Sequence, residues 1–254
     1  MAEDIESPSD PRILVIVPAH NEAASLPQVV ADLRTHCPRA DIVVVDDAST
    51  DGSAAVAAGL GVAVLSLPCN LGVGGAVQTG FMFAAEGDYD LAVQFDGDGQ
   101  HRANQIAALI EPLRAGRSDL TIGSRVVGGP RFRFHPFRFV GSRMLATLVS
   151  WIVRQRITDP TSGFRAANGR AIRFFARHYP DSYLADTVQT LAWAARQGLR
   201  ITEVPARMRQ RRAGHSATTS IRGVSHVLRI TLALLVDCLE KPARKEEPPL
   251  CPMD

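Results

Sequence analysis

The chain has 254 residues, 46% of them hydrophobic and 21% charged, and a formal net charge of +2; this excludes a fibrous or disordered chain and gives no argument for nucleic acid. Its four cysteines, Cys37, Cys69, Cys238 and Cys251, are scattered without a Cys-x-x-Cys pair, which gives no zinc signal and fits a reducing, cytoplasmic compartment. Residues 1–10 are too acidic and polar for a secretory signal, and no run reaches the roughly 20 apolar residues of a spanning helix.

In chain order, 13–19 is a β-branched run that predicts a buried strand, and 25–37 carries Leu26, Val29, Val30 and Leu33 at helical spacing. A second buried strand is predicted over 41–46, a turn over 48–52, a short Ala-rich helix over 53–60 and a third strand over 62–67. The glycine-rich run 72–75 reads as a close-approach loop leading into a helix over 74–86. It lacks the third glycine of a dinucleotide fingerprint and follows the third strand rather than the first. A fourth strand over 91–95, a helix over 104–115 and a fifth strand over 119–123 complete the first half. Strands alternating with helices imply a mostly parallel, doubly wound sheet, whose ligands bind at the carboxyl ends of strands.

The second half is less regular. A loop over 128–136 precedes an apolar, arginine-bearing helix over 137–156. A polar turn follows over 159–165, then helices over 170–177 and 184–197 and a strand over 199–208. Residues 209–220 read as a mobile basic loop, 221–239 as a last helix and 241–254 as a disordered tail. The chain shows no internal repeat.

Charge is unevenly spread. From 125 to 180 there are eleven arginines, and Asp159 is the only acid. Such a segment suits an anionic partner, phosphate or membrane surface. Residues 131–139 interleave arginine and phenylalanine. No nucleic-acid module accompanies them, and they suit a membrane interface better, with rings among the headgroups and Arg131, Arg133 and Arg138 on lipid phosphate.

The polar residues gather at predicted strand ends. Strand one ends in Pro18-Ala19-His20-Asn21-Glu22, strand two in Asp46-Asp47, and strand four in Asp96-Gly97-Asp98-Gly99-Gln100-His101. Two carboxylates separated by one glycine can converge on a hard cation whose shell is completed by substrate phosphates. An Asp/Gly turn alone would give the same residues for backbone reasons. Three strand ends delivering acids to one edge argue for the cation. Gln100 and His101 are further candidates for a ligand or a hydrogen bond.

With Asn70-Leu71-Gly72, Gly123-Ser124-Arg125 and the run 159–165, these motifs stand in the order of a known family. The chain resembles the family 2 glycosyltransferases of the GT-A fold, in the branch of dolichol- and polyprenyl-phosphate mannose or glucose synthases, over roughly 12–239. The resemblance implies a GT-A domain over 12–222, an apolar helix over 223–240, and disordered ends over 1–11 and 241–254. It implies an inverting hexose transfer from a nucleotide sugar of GDP-mannose or UDP-glucose type to a polyprenyl phosphate, assisted by Mg2+ or Mn2+. By resemblance, Asp98 and Gln100 ligate the metal and Asp96 holds metal or donor. The donor site would comprise Pro18, His20, Glu22, Val45, Asp47, Asp96, Gly97, Asp98, Arg125 and Arg211. Glu22 and Asp47 would meet base and ribose. Asp46 would instead be structural, bonding turn amides of 49–52. Arg125 would face the diphosphate or sugar, and Arg211 the phosphate, with Arg209 and Arg212 as substitutes. The family often has lysine where Ala217 stands.

Asp186 falls where the family often carries an acidic pair. It reads as a general base, an acceptor-site residue or an ordinary helix N-terminal acid. A phosphate acceptor needs no base, being dianionic near neutrality, whereas a hydroxyl does. The resemblance further implies peripheral attachment to the cytoplasmic membrane face, with a membrane-protein partner or a homo-oligomer. Two rival readings are a same-fold transferase acting on a soluble hydroxyl and a sugar-nucleotide-binding protein without catalysis; the Asp96/Asp98 pair argues against the second.

Overall fold

The structure is a computed structural model that describes residues 10–127, 136–180 and 186–209, without the side chains of 136–142 and 186. The expected ends 1–9 and 210–254, with Arg211, Arg212 and Ala217, lie outside the described residues. So do the side chains of the arginine–phenylalanine run.

Seven strands form one sheet: β1 (Ile13–Ala19), β2 (Asp41–Asp46), β3 (Ala63–Ser66), β4 (Leu91–Gln94), β5 (Leu120–Ser124), β6 (Arg165–Asn168) and β7 (Ile201–Pro205). Their order is β3-β2-β1-β4-β6-β5-β7. All neighbours are parallel except β6, which runs antiparallel to both β4 and β5. Among the described residues seven α-helices accompany them: α1 (Leu26–His36), α2 (Ser53–Gly59), α3 (Gly72–Glu86), α4 (Ile106–Arg114), α5 (Pro136–Val153), α6 (Gly169–Arg177) and α7 (Asp186–Arg196).

β1 and β2 read as continuous apolar runs because both faces of the sheet are covered there. On β1, Leu14 and Ile16 join one core with Ala76, Val77 and Phe81 of α3 and Phe175 of α6, while Val15 and Val17 join the other with Val29 and Leu33 of α1 and Leu109 of α4. Contact between α3 and β1 requires glycine: a Cβ on Gly80 would stand 2.2 Å from Ile16 Cγ2.

Two expectations are corrected. The run 72–75 is no loop; it forms the first turn of α3, entered through Asn70, whose Oδ1 accepts the Gly72 amide at 3.0 Å. The polar turn 159–165 leads into β6, a strand that the sequence reading had not separated from it.

Strand order reverses between β1 and β4, since β2 and β3 lie to one side and the later strands to the other. That reversal opens a crevice at the carboxyl ends of β1 and β4, where open α/β sheets bind ligands. The opposite edge is closed. There Asp119, 2% exposed, accepts from Arg200 Nε and Nη2, the Arg200 amide, Asn168 Nδ2 and Arg170. The Arg200 guanidinium holds the Asp119 carboxyl far below the usual carboxylate range, outweighing burial, with help from the Arg200 amide and Asn168.

Candidate active site

The crevice is built from three loops. After β1, Asn21 takes a left-handed conformation (φ 57°), as does Ala48 after β2 (φ 54°). The two turns interlock. Asn21 Oδ1 accepts the Thr50 amide at 2.8 Å, Ser49 Oγ accepts the Asn21 amide, and Ser53 Oγ accepts the Glu22 amide. Asp51 closes the lock by accepting the Ala23 and Ser53 amides. Burial works to raise its carboxyl pKa, but the Ser53 hydroxyl and these amides outweigh it and hold it below the usual value.

His20 Nδ1 lies 2.7 Å from the Asp47 carbonyl. A carbonyl only accepts, so Nδ1 carries the proton and Nε2 accepts from Asn21 Nδ2 at 3.1 Å. Asp47, 4% exposed, accepts the Leu71 amide on Oδ1 at 2.7 Å and thereby ties the entry of α3 to the end of β2. Asp46 does not bond the turn amides as expected. Asn21 and Asp51 have taken the Thr50 and Ser53 amides, and Asp46 Oδ1 is buried with no partner among the described residues.

Ser25 joins the β1 loop to the β4 loop. Its Oγ is 2.7 Å from Glu22 Oε2 and 2.7 Å from the Gly97 carbonyl. Its single proton serves one at a time. The β4 loop carries Asp96, part-exposed, and Asp98, whose Oδ1 accepts the Gln100 amide at 3.0 Å. His101 stands behind Asp96 with its side chain at 0% exposure. It packs against Phe95 and Phe164, ring centroids 5.4 and 4.9 Å away. A Cβ on Gly163 would lie 3.1 and 3.2 Å from the two Asp96 carboxylate oxygens. Glycine there leaves the carboxylate its seat.

On the other flank, Asp159 grips Arg125. It accepts from Arg125 Nε at 2.7 Å, Nη2 at 2.6 Å and the backbone amide at 2.9 Å. Burial works against the charge on Arg125, but Asp159 outweighs it and raises the guanidinium pKa, with Asp96 adding to the effect. Glu203 of β7 accepts the Thr158 and Asp159 amides and so fixes the turn that presents Asp159. Arg165, 4% exposed, donates to the Ser162, Pro160 and Thr187 carbonyls and to Thr190 Oγ1. It thereby fastens the turn to α7, whose first residue is Asp186.

The structure therefore brings Pro18, His20, Glu22, Asp47, Asp96, Gly97 and Asp98 to one crevice, with Gln100 beside it and Arg125 on its flank. Val45 is different. It is paired on both sides within the sheet and its side chain is fully buried in the core, so it has no side chain to offer a donor. Arg209 also departs from expectation. Its guanidinium reaches Asp32 of α1 at 3.1 Å and its amide donates to the Gln100 carbonyl, so it anchors the chain to the β4 loop instead of pointing at a phosphate. The Asp186 side chain and Arg211 lie outside the described residues. Ser25, Gly163 and the Asp159 partner of Arg125 were not assigned from sequence. Only the motif placing 159–165 near the family's site signalled the last two.

The donor set suits a hard cation. Two carboxylates one residue apart and a nearby amide side chain offer oxygen, and the Gly163 seat orients one carboxylate. Among the described residues no group of three or more His, Cys, Asp or Glu could hold a metal alone. A cation held by one or two carboxylates completes its shell with substrate phosphates.

Comparison with known proteins agrees. The family Glycosyl transferase family 2 matches residues 14–178. The polyprenol monophosphomannose synthase of Mycolicibacterium smegmatis is 33% identical over 213 residues, 81% of this chain and 80% of that protein. The undecaprenyl-phosphate mannosyltransferase of Micrococcus luteus is 35% identical over 212 residues, 81% of this chain and 86% of that protein. Among solved structures, glucosyl-3-phosphoglycerate synthase from Mycobacterium tuberculosis, in complex with Mn2+, UDP and phosphoglyceric acid, superposes with a TM-score of 0.66 at 19% identity. It covers 92% of this chain and 80% of its own. A GT-A sheet with its strand-end acids in place, matched by the family from β1 to the end of α6, makes this chain a member of glycosyl transferase family 2.

Proposed function

We propose that the chain transfers a hexose, with inversion, from a nucleotide sugar to an acceptor that carries a phosphate. The carrying observation is the Asp96/Asp98 loop, joined through Ser25 to Glu22 at the strand-order reversal. Glu22 and Asp47 would accept from base and ribose. Asp96 and Asp98, with Gln100, would hold Mg2+ or Mn2+, which when bound offsets the charge of the leaving diphosphate. Arg125, oriented by Asp159, would add positive charge on the same flank. The solved structure with Mn2+ and UDP supports this donor chemistry.

Two acceptors share the phosphate chemistry. The two curated relatives, both named for polyprenyl-type acceptors, support a lipid phosphate. Met144 and Trp151 on α5, 67% and 73% exposed in an acid-poor segment, support contact with a bilayer on the cytoplasmic face. No described helix is long and apolar enough to cross a membrane. The structural likeness, which spans more of the chain, supports a soluble phosphorylated alcohol such as phosphoglyceric acid.

The test offers purified protein UDP-glucose or GDP-mannose with Mn2+, against undecaprenyl phosphate in detergent or 3-phosphoglycerate in buffer, and follows sugar transfer. Product on neither acceptor overturns the reading. Asp186→Asn then reports the nucleophile. With a lipid phosphate, much of kcat is expected to survive, because no proton is removed. With a hydroxyl acceptor and Asp186 as its base, the loss is on the order of 10²–10⁴-fold.

A further inference from the structure

The β4 loop contains a titratable side chain that the reaction scheme leaves unused. His101 is 2% exposed, behind the crevice floor, and cannot reach a donor. Its Nδ1 accepts the Asp96 amide at 3.2 Å. An accepting ring nitrogen carries no proton, so in the neutral ring the proton sits on Nε2. That nitrogen lies 3.4 Å from Asp96 Oδ2, a contact short of a formed hydrogen bond, and has no other partner among the described residues. Phe95 and Phe164 hold the ring plane. A buried N–H without a partner is costly, so a nearby carboxylate is its natural acceptor.

We propose that His101 is a positioning residue for Asp96: from beneath the loop its ring holds the Asp96 amide with Nδ1 and aims Nε2–H at Oδ2, which together with the Gly163 seat fixes the carboxylate for a divalent cation. The inference rests on the metal-site reading above. Of the two roles open to His101, ligand or hydrogen-bonding partner, it takes the second, because both ring nitrogens face Asp96 from the protein side. Unliganded sites often hold such bonds long, and they tighten when the site is filled. Hydrogen-bonding partners behind a metal-binding side chain typically contribute 10–100-fold to metal affinity.

Two substitutions separate the two nitrogens. Asparagine places an amide oxygen near Nδ1 and keeps only the backbone contact. Glutamine places an amide nitrogen near Nε2 and keeps only the carboxylate contact. Mn2+ affinity is read from the free-ion EPR signal, with and without UDP. His101→Asn is expected to bind Mn2+ about 10–100-fold more weakly, and His101→Gln within a few-fold of the parent. Equal affinities for the two variants would overturn the proposal. So would an Nδ1–H tautomer or an imidazolium at neutral pH in the long-range 1H–15N spectrum of the unmodified protein. That measurement needs no variant to fold. Asp98→Ala in the same titration is the control: if it binds Mn2+ like the parent, the metal-site reading fails. If only Asp98→Ala loses Mn2+, the site stands and the role of His101 falls.

Discussion

Asp119 at one edge of the sheet and Asp46 and Asp96 at the other are satisfied in opposite ways. At the amino-terminal edge, Asp119 is saturated by Arg200, Arg170 and Asn168. At the carboxyl-terminal edge, and among the described residues, Asp46 Oδ1 has no partner and the carboxylate of the part-exposed Asp96 has only a long contact to His101. Both edges close the same parallel strands, so strand geometry does not explain the contrast. A carboxylate serving stability is surrounded by donors of its own chain. One serving a ligand is oriented by a few and keeps bonding capacity for the ligand.

The largest expected effect breaks the contrast on the ligand side. Asp98→Ala should lower transfer by about 10³-fold or more, since a bound cation contributes several kcal/mol to charge stabilisation. Its thermal unfolding should stay near the parent's. Wild-type transfer by the folded variant would refute the assignment. The next effect breaks the stability side. Asp119→Ala removes the acceptor of two arginines and should cost about 2–3 kcal/mol, read by urea unfolding, with transfer by the folded fraction unchanged. The smallest effect sharpens the comparison through pH. The Asp119 pKa is depressed in the folded state, so its contribution is fully present above the unfolded value of about 3.9 and is lost as pH falls below it toward the folded value. The stability gap between parent and Asp119→Asn should therefore be constant from about pH 5 to 7 and narrow below pH 4. A gap that widens in acid would show that the arginine pairing does not depress this group.

Much of this architecture was legible in the chain. Strands β1 to β5 are bounded by turn residues and fall within a residue or two of their predicted limits, and in β1 and β2 the apolar run is nearly unbroken because both faces are buried. β6 escaped notice because Arg165-Ala-Ala-Asn168 has neither apolar length nor alternation; only its place between β4 and β5 makes it a strand. The site followed the same division. Acids at strand ends were readable because local sequence puts them there. The Arg125–Asp159 pair spans 34 residues and the Arg209–Asp32 pair 177, and no local pattern encodes either. Val45, a motif neighbour of Asp46 and Asp47, has its side chain in the core.

The reversed strand β6 has a consequence for how such enzymes diversify. The chain leaves the sheet at Ser124 and re-enters at Arg165 on the same edge, where the Gly123 amide donates to the Phe164 carbonyl and Asp159 clasps Arg125. These contacts pin the two ends of the intervening stretch against each other. The stretch is also held to the sheet, because Leu145, Val149 and Ile157 are buried in its core. The proposed donor site draws on the ends of this stretch as well as on β1, β2 and β4, since Asp159 holds Arg125 and Gly163 borders the Asp96 carboxylate. A graft that tests acceptor preference between relatives should therefore exchange 126–156 and leave 157–164 in place, so that the contacts to Arg125, Asp96 and His101 survive.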